Sequence, residues 1–174
     1  SKELCLNHKV IICYRPLLPL AASFKRMKWD FKEFEDLINF FPPNSIKSYR
    51  FKASDKISSN VIGAIQFYEL FYHYINNINP NKNLYFFSQQ EFSTDPIEEI
   101  TNVLKWLELE VSDEIIQLSQ SLNKGKSSQI HIPDESIQHD SNYNKKYSNE
   151  YYKLVLTKEE IEFIDAFVAE ERFE

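Results

Sequence analysis

The apolar residues of this chain fall into short continuous runs and longer stretches with helical spacing. Residues 9–15 form the first run, which is rich in β-branched residues and predicts a strand buried on both faces. Arg15 and Pro16 end this run, and residues 17–30 then predict a helix with one apolar face. The pattern therefore predicts a strand, turn and helix unit.

Later segments carry clearer helix signals. Residues 60–78 hold two adjoining apolar stripes, largely aromatic, which together make a wide apolar helix face. Asp95 is suited to be the N-cap of a helix that starts at Pro96 and ends near residue 107. Thr157 and Glu160 have the spacing of a capping box, which predicts the start of the last helix.

Weaker signals complete the assignment. Residues 84–87 predict a second short buried strand, and residues 31–41 predict a helix. Ser112 marks the start of another helix, which is expected to end at 123–125. The polar residues 44–59 and 124–150 are predicted to be mostly loop. We expect a single domain over residues 1–174, with 124–150 as its long loop.

Composition excludes several classes of protein. With 174 residues and 43% apolar content, the chain is long enough for one globular core. A net charge of −6 argues against a nucleic-acid partner, because binding to phosphate backbones needs a clustered positive field. No transmembrane stretch or signal peptide is visible, and the two cysteines, Cys5 and Cys13, are too few for a disulfide framework. These features predict a soluble protein of a reducing, cytoplasmic compartment, with Cys13 as a small filler in the first strand.

The first strand and the turn after it are the main chemical signal. A buried strand that places Arg15 at its carboxyl end, just before a helix, is how an open α/β sheet builds an anion site. The guanidinium of Arg15 can hold two phosphate oxygens with a planar fork, and Ser23 follows eight residues later. The only glycines are Gly63 and Gly125, so no Walker or dinucleotide loop can be assembled.

The order and spacing of these elements resemble the C-terminal part of the sulfotransferase family, over roughly residues 9–110. Family members have a strand ending in arginine and a helix containing a serine eight residues later, as Arg15 and Ser23 do here. Their second strand leads through Tyr-Glu-Asp-Leu to an Asp-Pro and a helix ending Phe-Leu-Gly-Leu. The matching stretches here are Gln89-Gln90-Glu91-Phe92-Ser93-Thr94-Asp95-Pro96 and Trp106-Leu107-Glu108-Leu109.

The resemblance implies a fold and a cofactor. It implies an α/β three-layer sandwich around a central, mostly parallel sheet, the P-loop-like sulfotransferase fold. It also implies sulfuryl transfer from 3′-phosphoadenosine 5′-phosphosulfate (PAPS) to an acceptor hydroxyl or amine, with adenosine 3′,5′-bisphosphate (PAP) as the product. Arg15 and Ser23 would bind the cofactor's 3′-phosphate. Lys124 and Gly125 would lie in a loop that closes over it, although a C-cap glycine beside lysines that favour the helix dipole is an open alternative.

The chain also departs from the family pattern. Pro16-Leu17 stands in place of Asn-Pro, Gln89-Gln90 in place of Tyr-Glu, and Glu108 in place of the glycine. The family's phosphosulfate loop and its catalytic base have no counterpart here. We therefore expect the domain to lack its N-terminal strand, loop and helix, which a missing segment or a partner chain would supply.

Other interpretations of the sequence stay open. The aromatic helix at 60–78 could be the partner-binding surface of a noncatalytic interaction module. A nucleotide kinase-like fold is a further alternative, because it is built on the same kind of sheet. Glu69 and His73, one helical turn apart, could form a base and its orienting partner or part of a metal site, although core packing is the more common role. Charged or polar side chains that favour a solvated role are Lys25, Arg26, Lys28, His131, His139, Asp134, Glu135 and Asp140.

Overall fold

The computed structural model describes residues 9–29, 47–77, 83–122 and 149–171. These residues form two units, each with its own contacts. The strand unit comprises residues 9–16, 83–122 and 149–150, and the helical unit comprises residues 17–29, 47–77 and 151–171. Together they make a mixed α/β protein with a small parallel sheet and a majority of helix.

The strand unit is built on β1 (Val10–Tyr14) and β2 (Leu84–Ser88), which pair in parallel. Their register joins Val10 to Leu84 and Tyr14 to Ser88, so both strands end at the same edge of the sheet. After β2 come α3 (Gln89–Thr94), α4 (Pro96–Leu107) and α5 (Asp113–Leu122). The second strand and the helices from Asp95 and Ser112 are thus confirmed, but the predicted burial of the second strand is wrong, because Phe86 is 39% exposed.

The prediction that β1 is buried on both faces is wrong. Val10 is 44% exposed and Ile11 40% exposed, and Cys13 is exposed rather than filling a core. In the described part of the chain β2 is the only strand that pairs with β1, so a continuous apolar run here does not imply covered faces.

Residues 89–91 begin the short helix α3 directly after β2. The side chain of Ser88 caps this helix by accepting a hydrogen bond from the Glu91 N–H at 3.2 Å.

The end of α4 accounts for one departure from the family pattern. Glu108 takes a left-handed conformation, with φ 63° and ψ 32°, which glycine adopts at lower cost. The Lys9 ammonium contacts the Glu108 carboxylate at 3.0 Å, donates to the Trp106 carbonyl at 2.7 Å and lies 5.3 Å from the centre of the Trp106 ring. These contacts tie the start of β1 to the end of α4 and offset part of the backbone cost.

The helical unit packs α1 (Leu17–Met27) against α2 (Ser59–Asn77). Its buried apolar residues include Leu17, Ala21, Ala22, Phe24, Val61, Ala64 and Ile65. The helix predicted over 17–30 starts as expected but ends at Met27, because Lys28 adopts φ 54° and the Trp29 N–H bonds back to the Phe24 carbonyl. The helix predicted at 31–41 and the loop at 124–150 lie outside the described residues, apart from a turn at 149–150.

Two C-terminal helices complete the helical unit, α6 (Tyr152–Val155) and α7 (Lys158–Glu171). The capping box of α7 is confirmed in both directions: the Glu160 N–H donates to Thr157 Oγ1 at 3.2 Å, and the Thr157 N–H donates to Glu160 Oε2 at 2.9 Å. Ile164 and Phe167 are buried, and Phe51 packs edge-on against Phe163 and Phe167.

Candidate functional site

A pocket lies at the carboxyl ends of β1 and β2, within the strand unit. This is the edge of a parallel sheet at which ligands of α/β proteins bind. Its volume is about 530 Å³, in the range of small-molecule sites. The residues that line it are mostly polar and come from β1, β2, α3 and α4: Tyr14, Pro16, Ser88, Gln90, Glu91, Thr94, Asp95, Glu98, Glu99 and Asn102.

Glu99 is the buried acid of this pocket, with 6% of its surface exposed. It receives hydrogen bonds from the Tyr85 hydroxyl and the Ser88 backbone N–H. Burial raises the pKa of Glu99, and the neighbouring Glu91 carboxylate raises it further, so that these two hydrogen bonds only partly compensate. Burial, and then the charge of Glu99, likewise raise the pKa of Tyr85. The buried carboxyl of the pocket and the Tyr85 phenol that donates to it thus both resist ionisation.

The raised pKa of Glu99 predicts how stability depends on pH. A carboxyl group that binds its proton more tightly in the folded chain contributes stability below its unfolded pKa, and this contribution is lost as pH rises through the folded pKa. Glu99→Gln removes the buried charge, so we expect its Tm at pH 8 to exceed that of the unaltered chain by about 2–4 °C. At pH 4 the difference should shrink toward zero.

Thermal unfolding by circular dichroism at both pH values measures this effect. Glu110→Gln is the control, because Glu110 is exposed and does not line the pocket. An equal Tm difference at pH 4 and pH 8 would contradict the role assigned to the Glu99 charge.

Arg15 directly follows the last residue of β1 and is half-buried. It therefore lies at the sheet edge that the sequence predicts. Its guanidinium fork is suited to a phosphate, whereas the acidic lining of the nearby pocket is not. Arg15 lies beside the pocket and is not one of its lining residues, whereas four of the residues that line the pocket carry carboxyl groups.

Ser23 lies in the helical unit, at the seventh position of α1. This position is beyond the first turn, so the helix dipole adds little to its hydroxyl as a donor. Its hydroxyl makes a short hydrogen bond with the Tyr151 hydroxyl, which donates to the Pro19 carbonyl at 3.0 Å. A phosphate would have to compete with Tyr151 for the Ser23 hydroxyl.

Glu69 serves the core of the helical unit. It is fully buried, and it accepts hydrogen bonds from the Lys47 N–H at 2.7 Å, the Ser48 N–H at 2.9 Å and the Ser48 hydroxyl. His73 Nε2 lies 3.9 Å from Glu69 Oε1. The carboxylate holds the 3₁₀ turn Ser48–Arg50 against α2, which favours the packing interpretation of this pair over a catalytic one.

The basic cluster at the end of α1 is also structural in part. Lys25 Nζ lies 2.6 Å from the Glu160 carboxylate, which is 2% exposed. Glu160 further accepts from the Ser58 hydroxyl at 2.8 Å. Burial alone would raise the pKa of Glu160, but the hydrogen bonds from Lys25, Thr157 and Ser58 outweigh it and lower that pKa.

The aromatic residues of α2 present little open surface. Phe67, Tyr68, Phe71 and Tyr72 are half-buried, and Phe67 packs on Phe24 with ring centres 5.8 Å apart. The interaction-module interpretation therefore gains no exposed aromatic face from these four residues.

Several predicted residues lie outside the described part of the chain. They are Lys124, Gly125, His131, Asp134, Glu135, His139 and Asp140. Within the described residues no cluster of His, Cys, Asp and Glu could hold a metal ion. The helices in those same ranges include none that is long and apolar enough to cross a membrane.

Sequence reasoning missed the pocket and its buried Glu99. One local signal was present: Asp95, Glu98, Glu99 and Asn102 recur at the three- and four-residue spacing of one helix face. What the sequence does not contain is the position of α4 against the end of β2, which turns that face toward the Ser88 N–H.

The comparisons with known proteins agree with the order of elements. A family model described as a sulfotransferase domain matches residues 2–172, nearly the whole chain. Neither the curated proteins nor the solved structures include a significant match. A parallel strand pair with an arginine after its first member, an Asp-Pro helix start and a family match of this extent lead to one conclusion: the chain belongs to the sulfotransferase family.

Proposed function

We propose that this chain binds PAPS as the donor for sulfuryl transfer to an acceptor hydroxyl or amine, with Arg15 as a ligand of the cofactor's 3′-phosphate. Family membership supports a general sulfotransfer activity. The observation that carries the finer proposal is the position of Arg15, half-buried and directly after β1 at the carboxyl edge of a parallel pair. When bound, the cofactor supplies the sulfuryl group.

The residues of this chain supply binding and orientation in the proposal. Each charge-assisted hydrogen bond from Arg15 to a phosphate contributes about 1.5–3 kcal/mol. Ser23 is a second proposed ligand, which would exchange its bond to Tyr151 for one to phosphate. Lys124 and Gly125 are proposed to lie over the same group.

The proposal extends to the rest of the fold. The parallel pairing of β1 and β2 and the helices around them are compatible with a three-layer sandwich and a central, mostly parallel sheet. The lysine-bearing phosphosulfate turn and the catalytic base are proposed to come from a further segment or a partner chain. The proposal therefore predicts that the chain binds the cofactor by itself and that turnover requires the completed site.

Isothermal titration with PAP tests this proposal. We expect heat of binding that Arg15→Ala abolishes and Arg15→Lys weakens, because lysine keeps the charge but loses the planar fork. Arg50→Ala is the matched control, since Arg50 is an exposed arginine at the end of the 3₁₀ turn, and it should bind as the unaltered chain does. Absence of heat at millimolar PAP in a folded sample, or full binding by Arg15→Ala, would overturn the proposal.

A further inference from the structure

The pocket at the end of β1 and β2 has an unbalanced charge. Four carboxylates line it, from Glu91, Asp95, Glu98 and Glu99, and none of the described lining residues is lysine, arginine or histidine. Asp95 already accepts a hydrogen bond from the Glu98 N–H at 3.0 Å as a helix cap. The other three carboxylates are available to a ligand that enters the pocket.

Glu99 differs from the other carboxylates of the pocket because it is buried. Glu99 lines the pocket, and its Oε1 atom is buried and has no hydrogen-bond partner among the described residues. The Tyr85 and Ser88 donors leave this oxygen unsatisfied. A buried acceptor without a donor costs folding free energy, so an arrangement of this kind indicates a missing donor.

The surroundings define the chemistry of that donor. Phosphate, sulfate and carboxylate groups are excluded by the repulsion of the lining carboxylates. A bound metal ion is disfavoured because the described residues hold no ligand cluster of the required kind. An organic ammonium group satisfies both conditions: it carries positive charge, and it donates hydrogen bonds in three directions.

We propose that this pocket binds the primary ammonium group of a small organic molecule, with Glu99 as the buried counterion. Glu91 adds negative potential beside it, and Tyr14 lines the same pocket and brings an aromatic ring of the kind that attracts cations. The exposed Glu98 and Glu91 lie toward solvent and suit a second ammonium group on the same molecule. A volume of about 530 Å³ admits a linear diamine or triamine.

Ammonium binding also has a proton signature. The groups that face Glu99 from the packed elements are Glu91, Glu98, the Tyr85 hydroxyl and the Ser88 N–H. A bound cation stabilises the ionised carboxylate, so binding should release a proton at a pH where Glu99 is partly protonated. The released fraction should fall as pH rises.

The test is calorimetric titration of the full chain with 1,4-diaminobutane and with spermidine at low salt. 1,4-Butanediol is the neutral control ligand, and magnesium chloride is the metal control. We expect both amines to bind, Glu99→Gln to weaken them at least about tenfold, and Glu110→Gln to leave binding unchanged. Titrations in two buffers with different ionisation enthalpies should reveal the proton release, which Glu99→Gln removes.

Contrary results are well defined. Absence of amine binding, equal binding of the diol, tighter binding of magnesium, or full amine affinity in Glu99→Gln would each overturn the proposal. Glu91→Gln provides a second variant, and it should weaken the amines too. The proposal is independent of PAPS binding, because the amine titrations of the unaltered chain and of Glu99→Gln have the same expected outcome whether or not PAP binds.

Discussion

Glu69→Ala is expected to lower the free energy of unfolding by at least about 3 kcal/mol. The carboxylate accepts hydrogen bonds from the Lys47 N–H, the Ser48 N–H and the Ser48 hydroxyl. Removing it leaves three donors unsatisfied, two of them on buried Ser48, and each such group costs about 1–3 kcal/mol. Urea denaturation followed by circular dichroism measures the change.

Two control variants define what this result means. Glu162→Ala should cost less than about 0.5 kcal/mol, because its 3.5 Å pair with Lys158 is exposed on α7. His73→Ala should retain most of the stability, since its ring lies 3.9 Å from Glu69 and is partly exposed. A loss below 1 kcal/mol for Glu69→Ala would contradict the structural role of the carboxylate.

Glu160→Gln is expected to destabilise the folded chain by about 3–5 kcal/mol at pH 7. The substitution removes the charge that Lys25 contacts at 2.6 Å and weakens the bonds from Ser58 and Thr157. The effect should depend on pH in a defined direction. The pKa of Glu160 is lower in the folded chain, so its contribution is present above its unfolded pKa of about 4.5 and is lost as pH falls through the folded value.

Guanidinium denaturation at a series of pH values between 2.5 and 7 measures this dependence. The unaltered chain should lose stability toward the low end, and Glu160→Gln should show a flatter profile. Glu159→Gln, one residue earlier and exposed, is the matched control and should follow the unaltered chain. Parallel profiles for Glu160→Gln and the unaltered chain would show that the Lys25 pair does not carry this pH dependence.

Helix starts were predictable from the sequence where their chemistry is local. Asp95 before Pro96 and Thr157 before Glu160 each satisfy the first backbone N–H groups of the helix that follows, and both caps are present. The helix at Gln89–Thr94 also had such a signal, because Ser88 and Glu91 have capping-box spacing, and it could have been found.

The environments of the key side chains could not be predicted in this way. Glu160 was recognised as a capping residue, but its partner Lys25 is 135 residues away in the chain. The apolar run of β1 gave no information on how many strands would cover it. The sequence predicts that Glu99 lies in a helix, but it does not show that this helix packs against the end of β2, where Glu99 becomes buried.

The claim that Arg15 binds a 3′-phosphate is tested most directly by comparing PAP with adenosine 5′-phosphate, which lacks only that group. Calorimetric titration of the unaltered chain and of Arg15→Ala with both ligands gives the four affinities of a double-mutant cycle. We predict that the unaltered chain prefers PAP by at least about tenfold and that Arg15→Ala abolishes this preference. Equal affinity of the unaltered chain for the two nucleotides, or an undiminished preference in Arg15→Ala, would contradict the account.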